Sequence, residues 1–554
     1  MRPAPDAPMT RRGLLAAGAT AAVSAYVPRP RARPRPAAPH DLEQIQHIVI
    51  LMQENISFDH YFGTLAGVRG FSDPDALTLP DGRSVFQQPD PASADGYLVP
   101  WRFDTSSSNP CQVLVDNGWD SRHAAVDGGR MDGFVTATSG TPNHFPMAYY
   151  TRADVPWHMA LADGFTVCDA YFSSVLGPTF PNRYVMMTAT IDPQGKGGGP
   201  AYDNTVRRFT WTTYPERLTQ AGVTWRVYHE ADDFDDNVLK YFAQYQDAKP
   251  GSPLYDNAMV DLPPDQFERD VAADRLPQVS WIITNERDSE HPGKSAPALG
   301  ADKCNRIMRA FRDHPDVWAR TALIFTYDED GGYFDHVRPP LPPPGTPDEF
   351  VNGLPIGLGV RVPTVVCSPW TRGGYVCSQV YDHTSLIRFI ERRFGVVEPQ
   401  ISAWRRRTCG DLWECFDFAA PDFSFPALPV TAAAMSTTDE ACNNHPPAPP
   451  PAINGVLPVQ EPGAKPRRPC ASASLPMAVR LPRTPPGQKV LGATIAVTGR
   501  RTRKVTRGEL RNRKVILRAL PVGTTADVEI RILRRKGRRR RTVVVRRTLR
   551  VRCP

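Results

Sequence analysis

A chain of 554 residues is too long for one ordinary core and calls for two or three folded units. Its 41% hydrophobic and 22% charged residues are the proportions of a globular protein and exclude a wholly disordered chain. The net charge of +8 conceals an asymmetry: residues 500–554 hold 21 Lys+Arg against 3 Asp+Glu, whereas the other 499 residues hold 45 against 55. An acidic body therefore carries a basic tail, a pattern that suits an anionic partner or simply a soluble, charge-rich surface.

Residues 1–39 read as an export leader. Thr10-Arg11-Arg12-Gly13-Leu14-Leu15 opens a short Ala-rich apolar run that reaches small residues at Val23-Ser24-Ala25, and Pro28 to Pro39 forms a Pro/Arg linker. The paired arginines are similar to a twin-arginine signal, so the expected location is secreted or envelope-associated. The apolar run is too short to span a bilayer. Ten cysteines in an exported chain suggest some disulfides; Cys367/Cys377 and Cys409/Cys415 are close in sequence, and Cys470 and Cys553 bracket the tail.

Residues 41–425 have the pattern of one α/β domain. Nearly continuous apolar runs at Gln46–Met52, Thr224–Tyr228, Val279–Thr284, Ala322–Tyr327 and Val362–Cys367 predict buried strands. Thr384–Phe394 predicts a helix after a Thr cap, and the β–α alternation predicts a parallel, helix-covered sheet. Residues 426–469 are a Pro/Ala-rich linker containing Pro446-Pro447-Ala448-Pro449-Pro450-Pro451. Residues 470–554 show short alternating runs with turn signals between them, which predicts a small basic β module of sandwich type.

In open α/β sheets ligands gather beyond the carboxyl ends of strands. Two predicted strands run there into metal-binding residue types, one into Glu54-Asn55 and the other into Asp328-Glu329-Asp330 followed by Gly331-Gly332. Carboxylates gathered at strand ends repel one another unless a cation sits between them. Leu176-Gly177-Pro178-Thr179-Phe180-Pro181-Asn182-Arg183 leads into a helix suggested by Arg183–Thr188, where a hydroxyl at Thr179 would face the positive end of the dipole, which suits a phosphate. His123, His291, His336 and His383 complete the candidates, as groups that neutralise phosphate oxygens or protonate a leaving alkoxide.

His47–Phe71 (HIVILMQENISFDHYFGTLAGVRGF), Cys168–Arg183, Val227–Asn237, Thr326–Val337 and Val362–Phe394 together resemble the bacterial phospholipase C / acid phosphatase family, most of all the mycobacterial-type phospholipases C. The resemblance covers nearly all of Asp41 to Phe425 and implies an alkaline-phosphatase-like α/β/α sandwich. It implies metal ligands at Glu54, Asn55, Asp328 and Glu329, a hydroxyl nucleophile also near the metal at Thr179, and catalytic, substrate-side histidines at His123, His291 and His336. Asn182 and His383 fall at positions expected to bind substrate. Ile56 departs from the Arg usual in the family, without removing a ligand. An all-oxygen donor set suits one divalent ion, Ca²⁺, Mg²⁺ or Mn²⁺ before Zn²⁺.

The activity so implied is phospholipase C hydrolysis of phosphatidylcholine-type lipids through a phosphothreonine, with transient contact at a membrane surface. Aromatic residues at Tyr149-Tyr150, Trp157 and Tyr171-Phe172 are candidates to hold a choline group by cation–π contact. The rival on the same scaffold is a broad-specificity acid phosphatase. A rival of another class is an envelope-binding protein that works through the basic tail on an anionic polymer or lipid. Arg538-Arg539-Arg540-Arg541 has few aromatic neighbours, so no specific nucleic-acid partner is expected.

Overall fold

The computed structural model describes residues 41–105, 112–138 and 144–432 and, beyond them, parts of the region from 434 to 550. The leader, Cys111, Cys442, Cys470, Cys553 and most of the Pro/Ala-rich linker lie outside the described residues.

Seven strands build the central sheet: β1 (His47–Gln53), β2 (Thr166–Cys168), β3 (Trp225–Tyr228), β4 (Val279–Ile282), β5 (Thr321–Tyr327), β6 (Val365–Cys367) and β7 (Val376–Cys377), in the order β7-β2-β6-β5-β1-β4-β3. Every residue of β1, β4 and β5 is buried, because strands covered on both faces have no solvent side to mark with polar residues. All five predicted strands form. β2 and β7 are three and two residues long, too short to leave a periodic trace.

The expectation of a parallel sheet needs correction at one strand. β6 runs antiparallel to both β5 and β2, while the remaining pairings are parallel. A strand can return antiparallel beside its predecessor without the helical crossover that parallel neighbours require.

The helices used below are α1 (Phe58–Phe62), α2 (Trp119–Val126), α3 (Pro156–Gly164), α4 (Thr179–Thr188), α5 (Pro297–Asp313), α6 (His383–Phe394) and α7 (Ala403–Thr408). α4 starts at Thr179, two residues ahead of Pro181, where the sequence suggests its start, with Pro178 as its N-cap. Pro181 falls in the first turn, where a missing N–H leaves no helical bond unmade. The cap of α6 is Asp382, not a threonine: its carboxylate accepts from the Thr384 N–H at the positive end of the helix dipole, and Gly395 closes the other end at φ 76°.

The C-terminal strands are β8 (Leu475–Arg480), β9 (Lys489–Val497), β10 (Arg503–Lys504), β11 (Lys514–Leu520), β12 (Thr525–Lys536) and β13 (Arg539–Arg550). They form a β8–β11 pair and a β10-β9-β12-β13 sheet. Val515 of the first packs with Ile495, Val528, Ile530 and Ile532 of the second in one small core. On β12 and β13, Arg534 is the cross-strand partner of Arg541.

The six described cysteines are buried, free thiols. Neighbours in sequence are not neighbours in space: Cys415 lies 3.6 Å from Cys168 instead of against Cys409, and Cys377 is the cross-strand partner of Cys168 instead of lying beside Cys367.

Candidate active site

Adjacent parallel strands set the site. β1 and β5 are in register with Gln53 opposite Tyr327, so the next residues, Glu54 and Asp328, leave the sheet side by side. Asn55 takes a left-handed turn at φ 64°. Gly331 closes the Asp328-Glu329-Asp330 turn over it, where a Cβ would stand 2.1 Å from the Asn55 carbonyl oxygen; only glycine allows that approach. Thr179, at the head of α4, places Oγ1 3.4 Å from Asn55 Oδ1. The five residues expected to hold a metal are thereby brought to one place, and all are buried.

The electrostatics there are one-sided. Arg183, one turn along α4 from Thr179, donates to Glu54 Oε1 at 2.9 Å and Asp328 Oδ2 at 3.1 Å, and its Nη2 lies 3.0 Å from Asp236. Among the described residues Glu329 meets no cation; it accepts from Asn117 Nδ2 at 2.5 Å and the Gly331 N–H at 2.6 Å. One guanidinium thus faces three buried carboxylates, Glu54, Asp236 and Asp328, with a fourth, Glu329, next to Asp328 in the chain and outside its reach.

Burial and then the neighbouring Glu54 charge push Asp328 up to about 7, in spite of Arg183. Burial and then Asp328 and Asp330 hold Glu329 well above the ordinary carboxylate range. Asp236 is raised by burial as well, and Arg183 does not offset it. Glu54 Oε2 and Asn55 Nδ2 are buried without a hydrogen-bond partner. Excess negative charge and an all-oxygen donor set fit a hard divalent cation, which Glu54, Asn55, Asp328, Glu329 and Thr179 would hold. Asp330 stands apart from this set, paired with Arg122 of α2 at 3.0 Å, and that ion pair holds α2 and the loop before it so that Asn117 reaches Glu329.

Of the four candidate histidines, the structure brings one to the cluster with its ring open to it. His291 Nε2 lies 3.8 Å from Glu54 Oε2, Nδ1 has no hydrogen-bond partner, and the side chain is 13% exposed. Its loop is anchored by the preceding residue, the fully buried Glu290. That carboxylate accepts from the hydroxyls of Tyr61 and Tyr327, both at 2.8 Å, and lies 3.1 Å from His158 Nε2 of α3.

The other three expectations are corrected. His123 has Nδ1 2.7 Å from the Trp119 carbonyl and Nε2 2.8 Å from the Pro355 carbonyl, so both nitrogens are engaged by main chain. His383 is sealed in the interior beneath Asp328, with Nε2 2.6 Å from the Asp328 carbonyl oxygen and Nδ1 3.2 Å from the Tyr171 hydroxyl; burial lowers it to about 4. It positions the Asp328 backbone and does not face substrate. Asn182 is also sealed: its amide accepts from the N–H groups of Ser174 and Val175 and donates to the carbonyls of Gly177 and Pro178, which staples the loop leading to Thr179. The candidate choline-holding aromatics Tyr150, Trp157, Tyr171 and Phe172 are core residues, each at most 2% exposed, and only Tyr149 is partly exposed.

His336 belongs to a second buried network. Its Nδ1 is 2.5 Å from Asp59 of α1 and its Nε2 3.3 Å from Asp73. Asp59, Asp335 and His336 converge closely enough to hold a metal ion. Arg361 already donates into that convergence, at 2.9 Å to both Asp59 and Asp335, and satisfies it with a guanidinium. Burial opposes the charged imidazole, but Asp59 and Asp73 outweigh it and hold His336 above its ordinary 6.5. The stability contributed by the charged ring is therefore fully present below pH 6.5 and lost as pH rises through the raised folded value. Thermal melts from pH 5 to 9 are expected to show a fall in Tm across this window that is flattened in His336→Gln; an unchanged slope in the variant would assign the pH dependence elsewhere.

Sequence reasoning missed Arg183, Asp236, Asn117 and Glu290. Arg183 is the one charge in the helix TFPNRYVMMT, and a charge in an otherwise apolar helical turn is a sign of a buried partner. Asp236 lies in the acidic run Asp232-Asp233-Phe234-Asp235-Asp236. Nothing local marks Asn117.

A strand-end carboxylate cluster with a hydroxyl at a helix N-terminus beside it, on a mixed α/β sheet, is the kind of site on which phosphoesterases are built. The chain belongs to the phosphoesterase family, whose profile matches residues 45–397. It is 44% identical over 458 residues to the non-hemolytic phospholipase C of Pseudomonas aeruginosa, covering 77% of this chain and 65% of that protein. It is 42% identical over 418 residues to phospholipase C B of Mycobacterium tuberculosis, covering 69% of this chain and 80% of that one. Among solved structures, a protein of the alkaline phosphatase superfamily from Vibrio parahaemolyticus aligns with 13% identity and a TM-score of 0.28 over 55% of this chain and 72% of its own. The donor chemistry of the site and the family together suggest metal dependence.

Proposed function

We propose that this chain is an exported, metal-dependent phospholipase C that cleaves phosphatidylcholine-type lipids to diacylglycerol and a phosphorylated headgroup. The observation that carries the reading is the Thr179 hydroxyl, held at the N-terminus of α4 and 3.4 Å from Asn55 Oδ1 beside the Glu54, Asp328 and Glu329 carboxylates. A bound divalent ion supplies Lewis acidity and charge neutralisation there. Thr179 Oγ1 attacks phosphorus in line, and the first turn of α4 turns its positive end toward the phosphate. His291 protonates the departing alcohol, being the one candidate histidine with a ring open to the cluster. Water then hydrolyses the phosphothreonine.

A broad-specificity acid phosphatase is the second reading, favoured by the burial of Tyr150, Trp157, Tyr171 and Phe172, which removes the expected choline-holding wall. One assay separates the two. Purified protein is offered phosphatidylcholine, scored as diacylglycerol, and an aryl phosphate monoester, scored as phosphate, with Thr179→Ala as the blank. Faster diester turnover is expected; monoester turnover alone would overturn the phospholipase reading.

The excess of 21 Lys+Arg over 3 Asp+Glu in residues 500–554 supports docking on an anionic envelope polymer or lipid. Binding of the full chain to anionic vesicles is expected to weaken steeply with added salt, and salt-insensitive or absent binding would sink this part of the reading.

A further inference from the structure

We propose that Phe234 is the specificity-determining residue for the headgroup, forming with the acidic turn around it a receptor for a quaternary ammonium cation at the mouth of the site; this rests on the phospholipase C reading above.

The loop from His229 to Asn237 joins the end of β3 to the cluster. Two consecutive non-glycine residues in it, Phe234 at φ 50° and Asp235 at φ 63°, are left-handed. A bulky residue there is strained. The conformation is over-determined by its surroundings. Asp232 Oδ1 accepts from the Phe234 N–H, Asp233 Oδ1 accepts from the Asp235 N–H, and Lys240 bridges Asp233 at 2.9 Å and Asp235 at 2.6 Å.

The strained turn aims the side chains on either side of Asp235 in different directions. Asp236 goes down to Arg183 in the carboxylate cluster. Phe234 lies edge-on to His291, with ring centroids 5.1 Å apart, and stays partly exposed. Its ring therefore stands beside the histidine assigned to protonate the leaving group, at the edge of the carboxylate cluster that His291 borders.

Around it the charge is negative. Asp232 is exposed and the Asp235 side chain is 73% exposed, with Lys240 as the basic partner the turn receives. An aromatic face flanked by carboxylates attracts a quaternary ammonium, which makes no hydrogen bonds and so gains little from a purely polar pocket. The buried aromatics first considered for this role are enclosed in the core, whereas Phe234 is partly exposed beside the site.

The test compares wild type with Phe234→Leu, which keeps apolar bulk, and Phe234→Tyr, which keeps the π face. Two readouts are taken: the ratio of kcat/KM for phosphatidylcholine over phosphatidylglycerol, and inhibition of aryl phosphate hydrolysis by tetramethylammonium chloride against sodium chloride of equal ionic strength. Phe234→Leu is expected to lower the ratio about tenfold and to weaken tetramethylammonium inhibition similarly, with both restored in Phe234→Tyr. Equal loss on both lipids, with the ratio unchanged, would overturn the proposal and leave Phe234 as a prop for His291. Absence of tetramethylammonium inhibition in wild type would also overturn it. Failure of phosphatidylcholine turnover with tetramethylammonium inhibition intact and Phe234-dependent would instead overturn the phospholipase reading and retain the cation receptor.

Discussion

Replacing Thr179 by Ala is expected to lower kcat by about three orders of magnitude or more while leaving the fold intact, because a covalent route loses its nucleophile outright. Thr179 is the first residue of α4, its side chain caps nothing, and its polar neighbour is Asn55 Oδ1 at 3.4 Å. Removing one hydroxyl and a methyl at this position is expected to move stability by less than about 1 kcal/mol, so urea unfolding of the variant should superimpose closely on wild type. Thr179→Ser keeps the oxygen and should recover a substantial part of the rate. Near-normal turnover in Thr179→Ala, with the protein shown to be folded, would rule out attack by this residue. Collapse of the fold in Thr179→Ala alongside an active Thr179→Ser would point to a packing role instead.

Removal of divalent metal should have an effect of comparable size. Arg183 leaves the Glu54, Asp236, Asp328 and Glu329 group short of positive charge, with Glu54 Oε2 unpartnered. A chelator is expected to abolish hydrolysis, and Ca²⁺, Mg²⁺ or Mn²⁺ added back is expected to restore it. The same addition should raise Tm, since an ion that binds only the folded protein stabilises it by about 2.7 kcal/mol at a hundredfold excess over its Kd. Glu329→Gln should abolish both the rise in Tm and the activity, because it removes the carboxylate that no cation among the described residues neutralises. Activity that survives exhaustive chelation, with no change in Tm on adding metal, would sink the metal-dependent reading.

The second ion network explains why a plausible histidine can be the wrong one. His336 follows Asp335 closely after the Asp328-Glu329 turn, and its sequence neighbourhood is indistinguishable from that of a catalytic residue. In the fold, Arg361 draws Asp59 and Asp335 together, and His336 closes against Asp59 and Asp73. Breaking a buried ion network by removing one partner costs about 3–5 kcal/mol. This group therefore holds α1 to the segment after β5, below the strand ends where Glu54 and Asp328 emerge.

The amino-acid sequence by itself determined the strands of this protein and the carboxylates at their ends. A strand buried on both faces must be apolar throughout, so β1, β4 and β5 are legible without coordinates, and a carboxylate at a strand end is legible as the next residue. The acidic groups at Glu54 and Asp328-Glu329 could therefore be singled out before any distance was known, while Asn55 and Thr179 entered the candidate metal-ligand set through the family resemblance. Tertiary structure alone decided the rest. It turned β6 antiparallel, since strand direction depends on the path of the connection and not on the strand's own residues. It placed the His291 ring beside Glu54 and turned those of His123, His336 and His383 elsewhere, because what a ring faces is set by residues distant in the chain: Pro355 for His123, Asp59 for His336, Asp328 for His383. It also brought Arg183, Asp236 and Asn117 to the cluster from three separate segments, an encounter that no local pattern encodes because the partners meet only when the sheet has formed.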